Sequence, residues 1–144
     1  MFARLFTTLM LLGATFIGLA NIVHAANVLE GKVTKVRDVD TIEVQGVAVR
    51  LNGVDGPELN TRIGKEGKFY LTRILKGASV RCELNGDRTH DRVVGVCYLN
   101  GQDLGAIVIS EGVALDCRRY AGGHYRHLET AAAKSAIRRA RYCK

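Results

Sequence analysis

Three short segments in which polar and apolar residues alternate follow one another between residues 31 and 54. They cover residues 32–36, 41–45 and 47–51, and many of their apolar positions are β-branched. Alternation with a period of two in such segments is typical of strands that bury one face. The pattern therefore predicts a meander of three strands, with Gly46 in the second turn.

A helix is predicted directly after the meander, over residues 64–76, and Gly77 can end it. Its expected buried stripe comprises Phe69, Leu71, Ile74 and Leu75. Two further strands, residues 79–84 and 93–99, would flank a polar connection over residues 85–92. The middle of the chain thus adds one helix and two strands to the meander.

Two more helices are predicted towards the C-terminus. Asp103 can cap a short apolar helix over residues 104–110, and residues 116–123 are expected to form a loop. Residues 124–142 are rich in alanine, which favours a helix by propensity. Five strands with a helix between the third and the fourth are the layout of an OB-fold barrel. The sequence therefore predicts an α+β fold, mainly β, with a five-stranded OB-fold barrel and three helices.

The residues before this domain have the features of an export signal. Arg4 supplies a positive charge, residues 5–23 are uncharged and mostly apolar, and residues 23–25, Val-His-Ala, are an acceptable cleavage motif. We predict a signal peptide over residues 1–25 and a domain over residues 26–144 that is periplasmic or secreted. An uncleaved membrane anchor is the alternative, because the apolar stretch is nearly long enough to span a bilayer. After processing, we expect a monomer without stable membrane association.

All four cysteines lie after this leader, at Cys82, Cys97, Cys117 and Cys143. An even number in a small exported chain suggests two disulfides, for which three connectivities exist. Cys82 and Cys97 lie at similar distances from the middle of one hairpin-like connection, and Cys117 could tie down the end of the last helix at Cys143. We therefore expect the pairs Cys82–Cys97 and Cys117–Cys143. Metal binding is the weaker alternative, because the chain has no Cys-x-x-Cys pair.

The chain carries a formal net charge of +7, and the excess is concentrated near its C-terminus. Residues 118–144 contain eight lysines and arginines and a single acidic residue, Glu129. Clustered positive charge attracts polyanions, mainly through the release of counterions from phosphates. A solvated basic helix without such a partner is the alternative interpretation.

Acidic residues lie close to the ends of the predicted strands. Asp38 and Asp40 lie around the junction of the first two strands, and Asp55 and Glu58 follow the third. Carboxylates that converge at one rim of a barrel suit a hard cation such as Ca²⁺, which takes oxygen ligands. Aspartates before turns also serve as local backbone caps, so this pattern alone leaves both interpretations open.

Two arginines extend this pattern towards phosphate chemistry. Arg50 lies between apolar neighbours in the third strand and could point inward, where a buried arginine needs an anionic partner. Arg92 opens the fifth strand. An arginine pair beside a metal ion is what phosphoryl transfer needs, because fixed positive groups must meet the charge on the equatorial oxygens.

Three motifs, in order, resemble those of the staphylococcal-nuclease family. Residues 36–41 contain an acid, any residue, Asp and Thr, and residues 49–58 closely resemble a motif that runs from an arginine through Asp-x-Pro-Glu. Residues 92–98 begin with an arginine that opens a strand. Order and approximate spacing agree over residues 31–144. The resemblance implies a calcium-dependent nuclease that cuts phosphodiester bonds of DNA and RNA with low sequence specificity.

The resemblance also implies roles for individual residues. The calcium ligands would be the carboxylates of Asp40 and Asp55 and the carbonyl oxygen of Gly56. Glu58 would act as the general base, or at least orient the attacking water. The phosphate and its five-coordinate transition state would be bound by Arg50 and Arg92.

The sequence departs from the family pattern at two places. Gly56 stands where the family usually has a threonine, which a main-chain ligand tolerates at some loss of rigidity. His90 and Asp91 replace the usual Tyr-Gly before the second arginine. The family tyrosine contacts substrate phosphate, and His90 could replace it as a donor or be merely an exposed loop residue. Asp91 could reduce the local positive field.

Two tyrosines, Tyr120 and Tyr125, flank a Gly-Gly pair close to the basic C-terminal residues. Aromatic rings there could stack on bases, which is a sequence-tolerant way to hold single strands. Packing against the barrel is the alternative. We include both tyrosines and His90 among the candidate substrate-binding residues.

Two other functions are compatible with the sequence. An OB-fold module could bind nucleic acid without cutting it, and the basic C-terminal region could contact acidic lipids or polymers. The complete set of acids and arginines favours the nuclease.

Overall fold

The computed structural model describes residues 27–144, so the predicted signal peptide, residues 1–25, lies outside the described residues. The described chain forms eight strands: β1 (Val28–Asp38), β2 (Thr41–Val44), β3 (Val47–Leu51), β4 (Val54–Asp55), β5 (Ser79–Thr89), β6 (Arg92–Leu99), β7 (Gln102–Asp103) and β8 (Leu115–Asp116). It also forms four α-helices: α1 (Arg62–Ile74), α2 (Leu104–Ser110), α3 (Arg118–Ala121) and α4 (Ala131–Ala136). Two short 3₁₀ helices span Arg126–Leu128 and Arg141–Cys143.

Five of the strands form a closed ring. The order is β3, β2, β1, β5 and β6, and β3 pairs in turn with β6. The β3–β6 pairing is parallel, with Arg50 opposite Val94, whereas the other pairs in the ring are antiparallel. The predicted α+β class, mainly β, is confirmed. The number of helices differs, because the described residues form four α-helices where three were expected.

Apolar side chains from the ring, α1 and α2 form the main core. Its fully buried members include Val39, Ile42, Val49, Leu104 and Val108. Asp103 begins α2 as predicted, because its carboxylate accepts hydrogen bonds from the backbone N–H groups of Gly105 and Ala106. The cap fixes the point at which the chain leaves the sheet and enters the core.

Helix α1 covers part of this core, with Leu71 and Leu75 buried. The prediction that Phe69 belongs to the buried stripe is wrong, because its side chain is 70% exposed. Phe69 lies two positions before Leu71, which places it about 200° away around the helix. Helix α1 comes close to Val39 at Gly67, where a Cβ atom would lie 3.0 Å from Cγ2 of Val39.

The predicted helix over residues 124–142 is wrong as a single element. The chain there forms two 3₁₀ helices and the short α4, and its backbone is extended at Glu129 and Ile137. The preceding residues 116–123, expected to be a loop, contain the end of β8 and α3, and most of residues 85–92 extend β5 and β6 as a hairpin. Long-range pairing and contacts with the rest of the fold therefore outweigh local propensity in these segments.

Both predicted disulfides, Cys82–Cys97 and Cys117–Cys143, are confirmed. Cys82 and Cys97 are direct partners in the antiparallel register of β5 and β6, and both are buried. The second bond joins the residue before α3 to the last 3₁₀ helix. The C-terminal residues are therefore tied to the loop region that follows β8.

Replacing Cys82 and Cys97 together by alanine is expected to lower the free energy of unfolding by about 3 kcal/mol. The bond closes a loop of 15 residues, and removing such a cross-link increases the freedom of the unfolded chain. Urea unfolding of the parent and the double variant measures the difference. Four free thiols in the mass spectrum of the non-reduced parent would contradict the pairing on which the expectation rests.

Within residues 27–144, no helix has the length and apolar character needed to cross a membrane.

Candidate active site

Two arginines face a common cavity because β3 and β6 are neighbours in the ring. Arg50 lies in β3, and Arg92 is the first residue of β6, two positions before the residue opposite Arg50. Both line an open cavity of about 610 Å³. The cavity is strongly basic, because Arg88 and His90 also line it and Asp87 is the only acidic residue among its lining residues. Its charge suits an anionic ligand.

Asp40 is the charged partner of Arg50. Its Oδ2 lies 2.7 Å from Nη1 of Arg50, and both side chains are mostly buried. The same oxygen accepts a hydrogen bond from the backbone N–H of Gly56 at 3.3 Å. Burial raises the pKa of Asp40 to about 7, with a smaller contribution from the charge of Asp38, while the charge of Arg50 opposes the rise. A further positive charge close to Asp40 would therefore stabilise the ionised form of its carboxyl group.

Thr41 connects this ion pair to the second arginine. Its hydroxyl donates to Oδ1 of Asp40 at 2.8 Å and accepts from Nη1 of Arg92 at 3.2 Å. The side chain is fully buried, and Thr41 is the register partner of Arg50 in the β2–β3 pair. We name the four residues Asp40, Thr41, Arg50 and Arg92 the arginine network. Thr41 belongs to the first motif, but sequence reasoning gave it no role, although its place beside Asp40 was a usable signal.

Asp55 lies close to this network but has its own backbone partner. It is buried at the end of β4, and its Oδ2 accepts a hydrogen bond from the N–H of Ala140 at 2.9 Å. Burial raises the pKa of Asp55, while the Ala140 hydrogen bond and the charges of Arg139 and Arg50 oppose the rise. The charge of Arg50 thus acts on both Asp40 and Asp55.

Because Gly56 has no side chain, the side chain of Asp40 can pack against its backbone. A Cβ atom at this position would lie 2.7 Å from Oδ2 of Asp40 and 2.6 Å from Cγ1 of Val39. Both distances are too short for a real contact, so the arrangement around Asp40 depends on the missing side chain. Gly56 therefore contributes space and a backbone donor to the site.

The donor set of the predicted calcium site has the right chemistry, but it is not assembled as a cluster. Among residues 27–144, no group of three or more Asp, Glu, His or Cys side chains is placed so that it could hold a metal ion. Asp40 and Asp55 offer hard oxygen ligands, and burial raises the pKa of both, so a cation would offset the cost of burying their charges. These residues fit Ca²⁺ chemically, provided that backbone oxygens and water complete its coordination.

Glu58 differs from Asp40 and Asp55 because its side chain is exposed. It lies in the turn before α1, and like Asp40 and Asp55 it is not among the residues that line the cavity. Its backbone is fixed, because its carbonyl oxygen accepts from the N–H and hydroxyl groups of Thr61, the N-cap of α1. A Cβ atom on Gly64 would clash with the same carbonyl oxygen. The role of Glu58 as a base remains a prediction that rests on the resemblance of residues 49–58 to the family motif.

The residues that replace the family Tyr-Gly have separate positions. His90 lines the cavity and adopts a left-handed backbone conformation with φ of 56° at the tip of the β5–β6 hairpin. Asp91 does not line the cavity and lies 2.6 Å from Nη1 of Arg37. This exposed ion pair lowers the pKa of Asp91 and connects the hairpin tip to β1. Its charge is therefore paired with Arg37 outside the cavity.

The two candidate tyrosines have different environments. Tyr120 lines the cavity and is 54% exposed, which is compatible with substrate binding. Tyr125 is only 3% exposed, and its hydroxyl donates to Oδ2 of Asp103 at 2.8 Å. The ring packs in the core and does not line the cavity, as the packing alternative predicts, and a role of Tyr125 in substrate binding stays a prediction. Burial raises the pKa of its hydroxyl above the ordinary value, and the hydrogen bond to Asp103 adds to this rise.

Sequence reasoning missed Tyr142, which lines the cavity beside Tyr120. A usable signal was its position directly before Cys143, because the predicted bond to Cys117 brings residue 142 close to α3. Ala140 was also missed, and nothing in its sequence context suggests a hydrogen bond to Asp55.

A buried cluster of charged residues holds this C-terminal segment in place. Nη2 of Arg139 lies 2.6 Å from Oε1 of Glu129, and Nη1 of Arg139 donates to the carbonyl oxygen of Asp116. Oε1 of Glu129 also accepts from the N–H of Asp116 at 2.9 Å. These bonds fix the backbone one residue before Ala140, so that its N–H reaches Asp55.

Comparison with known proteins gives an independent indication of ancestry. Residues 48–141 match the family model described as staphylococcal nuclease homologue. A stretch of 91 residues is 36% identical to the succinoglycan biosynthesis protein ExoI of Rhizobium meliloti, over 55% of this chain and 48% of that protein. A stretch of 94 residues is 26% identical to an uncharacterized endonuclease of Haemophilus influenzae, over 62% of this chain and 53% of that protein.

A plant relative shares a shorter segment. The staphylococcal-like nuclease CAN1 of Arabidopsis thaliana is 29% identical over 66 residues, which are 46% of this chain and 20% of that protein. This chain thus spans about half the length of the two bacterial relatives and less of the plant relative. The family match includes Arg50, Asp55 and Arg92 and covers more than half of the chain. The chain therefore belongs to the family of staphylococcal nuclease homologues.

Proposed function

We propose that this protein is an exported, calcium-dependent nuclease that hydrolyses phosphodiester bonds of DNA and RNA with low sequence specificity. The observation that carries the proposal is the arginine network, which links Arg50 and Arg92 to the buried carboxylate of Asp40 at the edge of a basic cavity. A nuclease-type function is also supported by the similarity to two relatives, an uncharacterized endonuclease and a staphylococcal-like nuclease. Export is our inference from the leader and from the two disulfides.

The arginine network is suited to binding a phosphate diester in the cavity. The guanidinium groups of Arg50 and Arg92 offer several N–H donors to phosphate oxygens, and they meet the negative charge that develops there during hydrolysis. Thr41 and Asp40 hold these groups before substrate binds, which reduces the ordering needed in the transition state. A phosphate in the cavity would compete with Asp40 for Arg50.

Calcium would be held by the carboxylates of Asp40 and Asp55 and the carbonyl oxygen of Gly56. A bound cation supplies Lewis-acid polarisation of a phosphate oxygen. We assign Glu58 as the group that accepts a proton from the attacking water or orients it. Its exposed position near Gly56 leaves the carboxylate accessible to water.

The test of metal dependence is cleavage of a labelled single-stranded DNA in calcium, in magnesium and in excess chelator. The purified protein should be checked for both disulfides before the assay. We expect cleavage in calcium and none in chelator, with activity restored when calcium is added back. Equal cleavage in calcium and in chelator would contradict the proposed cofactor.

A second function is favoured by the positions of the predicted catalytic acids. Because Asp40, Asp55 and Glu58 are all absent from the residues that line the cavity, a protein that binds nucleic acid there without cutting it is compatible with the geometry. Tight binding of single-stranded DNA, with no cleavage in calcium by the folded protein, would support this binding module and oppose the nuclease.

Replacing Thr41 by valine is expected to lower kcat/KM by about 10- to 100-fold. The change keeps the shape of the side chain but removes the hydroxyl that joins Arg92 to Asp40, and such a buried bond contributes about 1–3 kcal/mol when one partner is left unpaired. Steady-state kinetics on a labelled oligonucleotide measure the effect. Thr34→Val is the matched control, because Thr34 lies in β1 and is exposed. Equal kinetics of the two variants would contradict the role of Thr41.

A further inference from the structure

Two exposed aromatic rings lie together at the cavity, although they are far apart in the sequence. Tyr120 belongs to α3, and Tyr142 lies in the last 3₁₀ helix. Their ring centroids are 6.5 Å apart with the planes inclined by 59°, and both residues line the cavity that contains Arg50 and Arg92. The cavity thus has a basic part and an aromatic part.

The exposure of these rings differs from that of a tyrosine with a structural role. Tyr120 is 54% exposed and Tyr142 is 51% exposed, whereas Tyr125 is buried with its hydroxyl bonded to Asp103. Large aromatic rings that stay accessible beside a binding cavity can be covered by a ligand. Their ligand must present a flat π-face and a negative charge, because the neighbouring cavity wall is cationic. An unpaired nucleotide has both properties.

The Cys117–Cys143 disulfide holds the two rings together. Cys117 lies three residues before Tyr120, and Cys143 directly follows Tyr142. Both cysteines are buried, so the bond fixes the exposed rings to an internal anchor. The chain that leads to Tyr142 is extended after α4 and is not part of a longer helix. Without the bond, the last residues have fewer attachments to α3.

We propose that Tyr142, held beside Tyr120 by the Cys117–Cys143 disulfide, completes a stacking surface for an unpaired base whose phosphate lies at Arg50 and Arg92. This inference rests on the proposed nucleic-acid substrate. It adds that the affinity for single-stranded nucleic acid depends on the ring of Tyr142 and on the oxidised state of this disulfide. A base inside a duplex cannot reach the surface unless it leaves the stack, which costs free energy.

The test measures binding without cleavage, so that it does not depend on catalytic activity. Fluorescence anisotropy with a labelled single-stranded oligonucleotide and with the matching duplex is recorded in chelator. We expect Tyr142→Ala to weaken single-strand binding about tenfold or more, as for the loss of one stacked base, and to change duplex binding much less. Tyr142→Phe, which keeps the ring, should bind like the parent.

A control variant separates stacking from a general loss of aromatic surface. Phe69→Ala removes an exposed ring on α1 that does not line the cavity, and it should leave both affinities unchanged. The double variant Cys117→Ser with Cys143→Ser should weaken single-strand binding to the level of Tyr142→Ala. Adding Tyr142→Ala to that double variant should have little further effect, because the ring is already displaced.

Several outcomes would overturn the inference. They are parent-like single-strand affinity in Tyr142→Ala, equal losses in Tyr142→Phe and Tyr142→Ala, and an equal loss of duplex binding. Failure of the proposed function gives a different result, since a protein that does not cleave in calcium would still show the single-strand defect. Calcium-dependent cleavage together with unchanged binding by Tyr142→Ala would reject this inference alone.

Discussion

Replacing Arg92 by alanine is expected to lower kcat/KM for calcium-dependent cleavage by about 100- to 1,000-fold. The side chain lines the cavity and is held by the Thr41 hydroxyl, and its charge is available to the transition state of phosphate hydrolysis. Loss of one fixed donor to a developing negative charge costs about 3–4 kcal/mol in comparable sites. Steady-state and single-turnover kinetics on a labelled oligonucleotide measure the effect.

The matched control for this variant is Arg81→Ala. It removes the same charge, but Arg81 lies on β5, pairs with Glu83 and does not line the cavity with the arginine network. We expect its kcat/KM to stay within about twofold of the parent at moderate ionic strength, where exposed charges are screened. An equal fall in kcat/KM for both variants would show that Arg92 acts only through the overall charge of the protein.

Replacing Arg139 by methionine is expected to lower the free energy of unfolding by about 3–5 kcal/mol. The side chain of Glu129 is fully buried, and Arg139 is its closest cationic partner, at 2.6 Å. Arg126, at 3.9 Å and half exposed, is a poor replacement. One oxygen of Glu129, Oε2, has no partner among the described residues even in the parent. Removing Arg139 thus leaves a buried charge uncompensated.

Urea unfolding of Arg139→Met and of two reference variants tests this expectation. Arg138→Met changes the exposed neighbour and should have almost no effect. Glu129→Gln combined with Arg139→Met should recover part of the loss, because the orphaned charge is removed. A loss of less than about 1 kcal/mol in Arg139→Met would contradict the structural importance of this cluster.

The strand and helix pattern was readable from the sequence wherever local rules decide it. Alternation located β2 and β3, and the carboxylate of Asp103 marked the start of α2. The parallel β3–β6 pairing that closes the ring joins distant segments and leaves no local signal. The alanine-rich C-terminal segment was misjudged for the same reason. Glu129 and Arg139 bind the backbone of Asp116, and the disulfide joins Cys143 to Cys117, and a prediction from helix propensity does not include such distant contacts.

The candidate site was readable in part, because its motifs specify which residues lie near the strand ends. They identified Asp40, Arg50 and Arg92, which the fold joins through Thr41. Motifs do not specify how far each side chain is buried. Two residues illustrate this limit, the exposed Glu58 and the buried Tyr125. Burial depends on packing against segments elsewhere in the sequence.

The most direct test of the proposed phosphodiesterase compares the parent with Asp40→Asn in saturating calcium. The substitution keeps the size of the side chain but removes the charge that pairs with Arg50 and that would bind the cation. The measured quantity is the single-turnover rate of cleavage of a labelled single-stranded oligonucleotide by folded protein that contains both disulfides. We expect efficient cleavage by the parent and a rate at least about 100-fold lower for the variant. Equal rates, or no cleavage by the parent, would contradict the assignment of this cavity as a calcium-dependent nuclease site.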